Sequence, residues 1–266
     1  MDSSDLYWLV DDATPLPPSS LALGEDSSAP GLLAVGGRLS LQRLEEAYRR
    51  GVFPWYSEGQ PVLWWAPDPR MVLPVAEFKL GRSLRKSVQR FIRAPGCEIR
   101  FDSAFDRVIA ACAGTLREGQ PGTWILPPMQ SAYSAWHRAG AAHSVETWVN
   151  GRLVGGLYGV GIGRMFFGES MFSHASDASK IALAALVAFC LAHGIALIDC
   201  QQNTQHLASL GAREIPRAEF ECQLARNLGA EAPPRWSYDV AHWGHLGLAI
   251  AETEASPLTE PRAANA

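Results

Sequence analysis

Between His143 and Cys200 the chain spells out a succession of elements that leaves little choice of fold. His143 to Val149 reads as a strand, Asn150-Gly151 is the dipeptide that turns a tight hairpin, and Leu153 to Val160 reads as the returning strand. Gly161-Ile162-Gly163 turns the chain again into Met165-Phe166-Phe167. Leu183, Leu186, Val187, Cys190 and Leu191 then mark a helix that stops at His193-Gly194, and Ile195 to Cys200 reads as a buried strand. A helix between two strands implies parallel pairing through a right-handed crossover. The predicted architecture is α+β: antiparallel strands in series, then a β-α-β unit completing a mixed sheet.

The flanking regions are read more coarsely. Ser40 caps a predicted helix whose apolar face is Leu41, Leu44 and Tyr48 and which Gly51 closes. The prolyl-aromatic stretch that follows, from Phe53 to Arg70, marks a border between a small N-terminal α+β domain (1–68) and a larger one (69–245). Residues 13–30, rich in Pro and Ser, are expected to lie loosely on the surface, and 246–266 to form a disordered tail. Trp55, Trp64, Trp65 and Trp124 stand beside Pro or Gly, where loops are expected; loop tryptophans either stack on ligands or fill the core. Leu80 to Arg93 is helical in pattern and carries Arg82, Arg85, Lys86, Arg90 and Arg93, a stripe that suits a solvated face or an RNA backbone. Met129, Tyr133, Trp136 and His137 recur at helical spacing after Pro127-Pro128.

Composition narrows the function classes. With 47% hydrophobic residues the 266-residue chain has ample material for a core. A formal charge of −4 argues against an overall polyanion-binding surface, while a local basic patch stays open. Five cysteines with no CxxC pair suggest neither a zinc knuckle nor a disulfide framework, and fit reduced thiols in a cytoplasm. Acidic residues near the start and the lack of a spanning apolar run predict a soluble, cytoplasmic protein.

Glu169, Asp199 and Gln201 fall at the ends of two neighbouring predicted strands, where groups able to bind or deprotonate an amine would converge on one cleft. Glu169 follows three apolar residues, so it lines a cleft or caps a turn. Strand alternation places Asp199 and Gln201 on one side and Cys200 on the other, as a core thiol; Asp199 could equally hold the following loop through backbone amides. Ser170 lacks the final Gly of a nucleophile elbow, and Gly159-Val-Gly161-Ile-Gly163 opens no helix, so neither a hydrolase serine nor a dinucleotide loop is indicated.

Antiparallel strands followed by β-α-β and a closing Leu-Gly turn resemble the acyltransferase superfold of the GNAT type, by analogy of pattern. Coenzyme A-dependent members open the helix after the fourth core strand with a basic, Gly-rich loop that cradles pyrophosphate. Here that position reads Ser173-His-Ala-Ser-Asp-Ala-Ser-Lys180, without glycines and with Asp177, so coenzyme A is a poor donor.

Nine ordered segments resemble the leucyl/phenylalanyl-tRNA–protein transferase family: Gly31-Leu-Leu-Ala-Val-Gly-Gly37, Tyr48-Arg-Arg-Gly-Val-Phe-Pro-Trp-Tyr-Ser57, Leu63-Trp-Trp-Ala-Pro-Asp-Pro-Arg70, Gly122-Thr-Trp-Ile125, His143-Ser-Val-Glu146, Gly155-Gly-Leu-Tyr-Gly-Val160, Phe167-Gly-Glu-Ser-Met-Phe-Ser173, Asp199-Cys-Gln201 and Ser209-Leu-Gly-Ala212. The resemblance implies transfer of Leu or Phe, with Met as a further candidate, from aminoacyl-tRNA to proteins beginning with Arg or Lys, as part of N-end rule degradation. It implies no metal, ATP or coenzyme; the protein itself is expected to be a monomer. By the same resemblance Asp199 orients or polarises Gln201, Gln201 contacts the attacking amine, and Glu169 helps hold the cationic acceptor. Leu157, Phe166, Leu186 and Ile198 would wall the donor side-chain pocket, Trp55 and Trp124 would pack on the terminal adenosine, and Tyr48 and Tyr133 would also bind substrate. Arg82, Arg85, Lys86 and Arg90 match the tRNA-contact region. The rivals are a coenzyme A-dependent N-acyltransferase and a non-enzymatic tRNA-binding module.

Overall fold

The computed structural model describes residues 6–115 and 123–248; Gly122 of the quoted segments and tail residues 249–266 lie outside the described residues. The smaller of two mixed sheets is built from β1 (Tyr7–Leu9), β2 (Leu32–Gly36), β3 (Phe53–Pro54) and β4 (Leu63–Trp65), in the order β1-β2-β4-β3. β1 runs parallel to β2 and the other pairs are antiparallel. Helix α1 (Leu41–Arg49) connects β2 to β3; Ser40 accepts from the Arg43 amide, and Gly51 follows its end at φ +71°, a conformation glycine adopts without a Cβ clash. Leu44, Ala47 and Tyr48 are buried, whereas Leu41 is exposed, since the core lies on the other side of the first turn.

The larger sheet has seven strands. β5 (Arg70–Pro74) precedes α2 (Arg82–Arg93), β6 (Cys97–Phe101), α3 (Phe105–Ala113) and α4 (Pro127–Arg138). Then come β7 (Ala142–Val149), β8 (Arg152–Ile162), β9 (Met165–Ser173), α5 (Ala178–His193), β10 (Leu197–Gln201), α6 (Gln205–Ser209), β11 (Arg213–Ile215) and α7 (Arg217–Asn227). The order is β11-β5-β10-β9-β8-β7-β6. β7, β8 and β9 are antiparallel neighbours, and β9 to β10 is the parallel pair joined by α5, as the hairpin and crossover signals predict. Asn150 and Gly151 carry the two positive φ angles of the hairpin. β8 runs on to Ile162, so the next turn is Gly163-Arg164 rather than the whole Gly-Ile-Gly run.

Helix α5 is apolar almost all round because it is covered almost all round. It lies on one face of the larger sheet under α2 and the 3-10 turn Val240–Leu246, in a cluster that includes Leu84, Val88, Phe91, Trp243 and Leu248. Burial of Leu248 shows that 246–248 pack on the domain and are not part of a free tail. The opposite face carries α3, α4 and the smaller sheet, and one apolar cluster runs through all of them. Trp64 and Trp65 sit in β4 as core side chains, not in a loop: their indole N–H groups reach the Gly36 and Trp55 carbonyls. The 13–30 segment is anchored as well. Leu16 is buried, and Arg43 and Arg50 donate to the carbonyls of Thr14, Leu16 and Pro17.

Among the described residues no helix is long and apolar enough to cross a membrane.

Candidate active site

Two β-bulges shape the site. β9 and β10 pair only as far as Phe167 and Asp199. Beyond that, Gly159 pairs with Gly168 but Tyr158 pairs with Ser170, so Glu169 is an extra residue on β9. On β10, Asp199 faces Val72 and Gln201 faces Met71, which leaves Cys200 as the extra residue there. A bulge inserts a residue and re-aims its neighbours, so the period of two fails where the site begins. The strands part, and between them opens a cavity of about 430 Å³.

The bulge corrects the predicted pairing of Asp199 with Gln201. Their side chains do not meet. Asp199, with no exposed surface, accepts from Arg70 at both oxygens, Nε at 2.8 Å and Nη2 at 2.6 Å. Its Oδ1 also accepts from the Gln201 backbone amide at 2.9 Å, and Gln201 stands at φ +63°, a left-handed conformation costly for a side-chain-bearing residue. Asp199 therefore holds the loop through a main-chain bond, the alternative the sequence left open. Gln201 turns its amide nitrogen to Glu169 Oε1 at 2.8 Å. A carboxylate only accepts, so the amide oxygen is the end left to accept from a substrate.

Arg70 was not singled out from sequence. Its guanidinium lies between the rings of Phe53 and Phe220, each centroid 4.7 Å away. Only the Pro-Asp-Pro-Arg stretch hinted at it, and a paired charge buried across 129 residues leaves no local pattern.

Glu169 sits under two phenols. The Tyr48 hydroxyl donates to Oε1 at 2.5 Å, the Tyr133 hydroxyl lies 3.2 Å from Oε2, and the two hydroxyls are hydrogen-bonded to each other, so two phenolic protons are shared among three contacts. Withdrawal from water pushes the Glu169 carboxyl up to about 7, against the opposing pull of the three donors; nearby Asp199 adds to the rise. The same burial lifts both phenols well above their usual range, so neither is ionised near neutrality. Tyr48 and Tyr133 lie behind Glu169 rather than on the cavity surface.

The apolar end of the cavity is walled by Leu157, Phe166, Leu186 and Ile198, with Leu183 and Met171; Trp55 and Trp124 line the same cavity. Cys200 packs against the core cluster and also lines this cavity, and burial pushes its thiol up, away from thiolate reactivity. Arg82, Lys86 and Arg90 form an exposed row on α2, away from this lining, while Arg85 is partly covered and donates to the Gly247 carbonyl at 3.2 Å. Among the described residues there is no cluster of side chains suited to a metal ion.

Residues 72–225 match the family model described as leucyl/phenylalanyl-tRNA protein transferase, and 37–68 match the model of that family's N-terminal domain. A leucyl/phenylalanyl-tRNA–protein transferase of Methylibium petroleiphilum is 64% identical over 249 residues, 94% of each chain. The chain belongs to this family. A relative of the same name from Leptothrix cholodnii is 64% identical over 90% of this chain and 94% of its own, and one from Burkholderia pseudomallei 57% identical over 93% and 97%. Tyr48, Phe53 and Trp55 lie in the first matched stretch and Glu169, Asp199 and Gln201 in the second, so both stretches meet at this cavity.

Proposed function

We propose that this protein transfers Leu or Phe from aminoacyl-tRNA to the N-terminal Arg or Lys of acceptor proteins, as a monomeric cytoplasmic enzyme of the N-end rule with a GNAT-like catalytic domain. The observation that carries the reading is one cavity with an apolar end and a Glu169–Gln201 end. The donor side chain enters the apolar end. Trp55 and Trp124 pack on the terminal adenosine, where stacking contributes about 1–3 kcal/mol without reading sequence.

The reaction is aminolysis. The acceptor's α-ammonium must lose a proton, the neutral nitrogen attacks the ester carbonyl, and the carbon–oxygen bond to the ribose breaks as the ribose oxygen gains a proton. An α-amine titrates at about 7.7–8.0, close to the value to which Glu169 is pushed, so that carboxylate is matched both to hold the cationic end and to take its first proton. Gln201 aligns the amine through its amide oxygen, since an amide is too weak a base to do more. Asp199 acts by fixing the Gln201 main chain, with Arg70 holding the carboxylate in place.

Coenzyme A remains the weaker donor. The N-terminus of α5 abuts β8 so closely that a Cβ on Gly155 would stand 2.5 Å from Ala178, and Asp177, held ionised by Ser87 and Lys180, occupies the entry where pyrophosphate would rest.

The test is transfer of labelled Leu from Leu-tRNA to a peptide beginning with Arg and to one beginning with Ala. Transfer to the first alone is expected; equal transfer to both, or to neither, rules the proposal out. The α2 row is tested by replacing Arg82 and Lys86 together. This double variant should weaken tRNA binding and flatten its salt dependence, while a short aminoacyl-adenosine donor reacts as before.

A further inference from the structure

Leu157, Gly159 and Gly161 lie two apart along β8 and so share one face of the sheet. Leu157 walls the cavity. At the next station a Cβ on Gly159 would stand 2.3 Å from the Phe167 carbonyl oxygen and 2.5 Å from the Phe166 ring, so the β9 backbone and Phe166 fill the room that glycine leaves. At the third a Cβ on Gly161 would stand 2.4 Å from the indole of Trp236, which fills that room in turn. The order along the strand is therefore cavity, Phe166, Trp236. The two glycines that carried no nucleotide signal make space for a pair of aromatic rings.

Trp236 comes from the segment beyond α7, outside the stretch that matches the family model. Its ring centroid is 5.6 Å from that of Phe166 and 4.9 Å from that of Phe189. On another side it stacks on His143 at 4.0 Å and 10°, and His143 is held through Nδ1 by Asp102 at 2.8 Å. Phe166 is thus pressed from behind by a fixed ring and faces open space in front.

We propose that Trp236 sets the depth of the donor side-chain pocket by backing Phe166, and is a specificity-determining positioning residue that touches no substrate. The inference rests on the reading that the apolar end takes the donor side chain. Cores are close-packed, and a wall with a cavity on one side stays where its backing holds it. Without the indole, Gly161 offers no side chain to stop Phe166 from receding, and the pocket gains room for a larger donor.

The experiment measures kcat/KM for Leu-tRNA and Phe-tRNA with one Arg-initiated peptide, in wild type, Trp236→Ala, Trp236→Phe and Leu186→Ala, with melting curves for each. Trp236→Ala should raise the Phe-to-Leu ratio about tenfold, the scale on which small volume differences are discriminated, and Trp236→Phe should return it most of the way. A purely structural role would lower both donors by the same factor. If Trp236→Ala fails to fold, Trp236→Leu carries the same comparison. A ratio that Leu186→Ala shifts but the folded Trp236 variants leave within twofold of wild type overturns the proposal and spares the pocket. A ratio unmoved by either substitution overturns the donor-pocket reading and the proposal with it.

Discussion

Glu146 and Glu169 lie two strands apart in the larger sheet, and the chain treats the two carboxylates in opposite ways. Glu146, on β7, has no exposed surface. It accepts from the Ser103 hydroxyl, the Ala104 amide at 2.7 Å, the Ser144 hydroxyl at 2.8 Å and the Trp148 indole at 2.9 Å. Two of these donors precede α3, whose N-terminus favours a negative charge. Glu169 has two phenols and one amide instead, no helix end and a cavity beside it, and its carboxyl climbs toward neutrality. A buried carboxyl group saturated with donors from rigid elements is structural. Under-supplying it beside an open space leaves it able to exchange a proton.

The contrast is most exposed at Glu146→Ala. That change orphans four donors, and a loss of about 3–5 kcal/mol is expected from urea unfolding, with transfer per folded molecule within about twofold of wild type. If the folded variant were as inactive as a Glu169 variant, the division of roles would be wrong. Glu169→Gln should do the reverse, lowering transfer at least about a hundredfold. Because the Glu169 carboxyl is raised from 4.5 to about 7, the folded state keeps a proton in that window which the unfolded chain has released. Stability therefore falls as pH rises through the window. The melting temperature of Glu169→Gln relative to wild type should be higher at pH 8 than at pH 5, and a difference independent of pH would contradict the assigned titration.

Smaller changes sharpen the same contrast. Tyr133→Phe removes one donor from the charged form of Glu169, and the low-pH limb of the transfer profile should move up by as much as about one unit. Trp148→Phe removes one donor of four from Glu146 while keeping a ring against Arg100 and Arg107. It should cost about 1–2 kcal/mol of stability and leave the transfer profile where it was.

The elements legible in the sequence were those whose signal is local. Asn150-Gly151, the apolar run of α5 and the Ser40 cap each state their geometry within a few residues. β5, β6 and α3 carry weaker local patterns, and the Glu146 contact that caps α3 joins residues more than 40 positions apart. At the cavity, the residues named from sequence come together, while the bonds between them follow no local pattern. Alternation put Asp199 beside Gln201 and Cys200 in the core. Cys200 does pack against the core, but a bulge on each of two adjacent strands turns the Gln201 side chain to Glu169 instead, and bulges answer to neighbouring strands rather than to local composition.

Arg70 joins parts of the chain that sequence families describe separately. The ring on one side of its guanidinium comes from the segment matched as an N-terminal domain, and the ring on the other comes from the last helix of the main match. Tyr48 crosses the same divide to reach Glu169. Recombination that exchanged one of these two modules for that of a distant relative would thus transplant half of an ion-pair cradle and half of a proton site. The heritable unit of this arrangement is the whole chain from Tyr48 to Phe220.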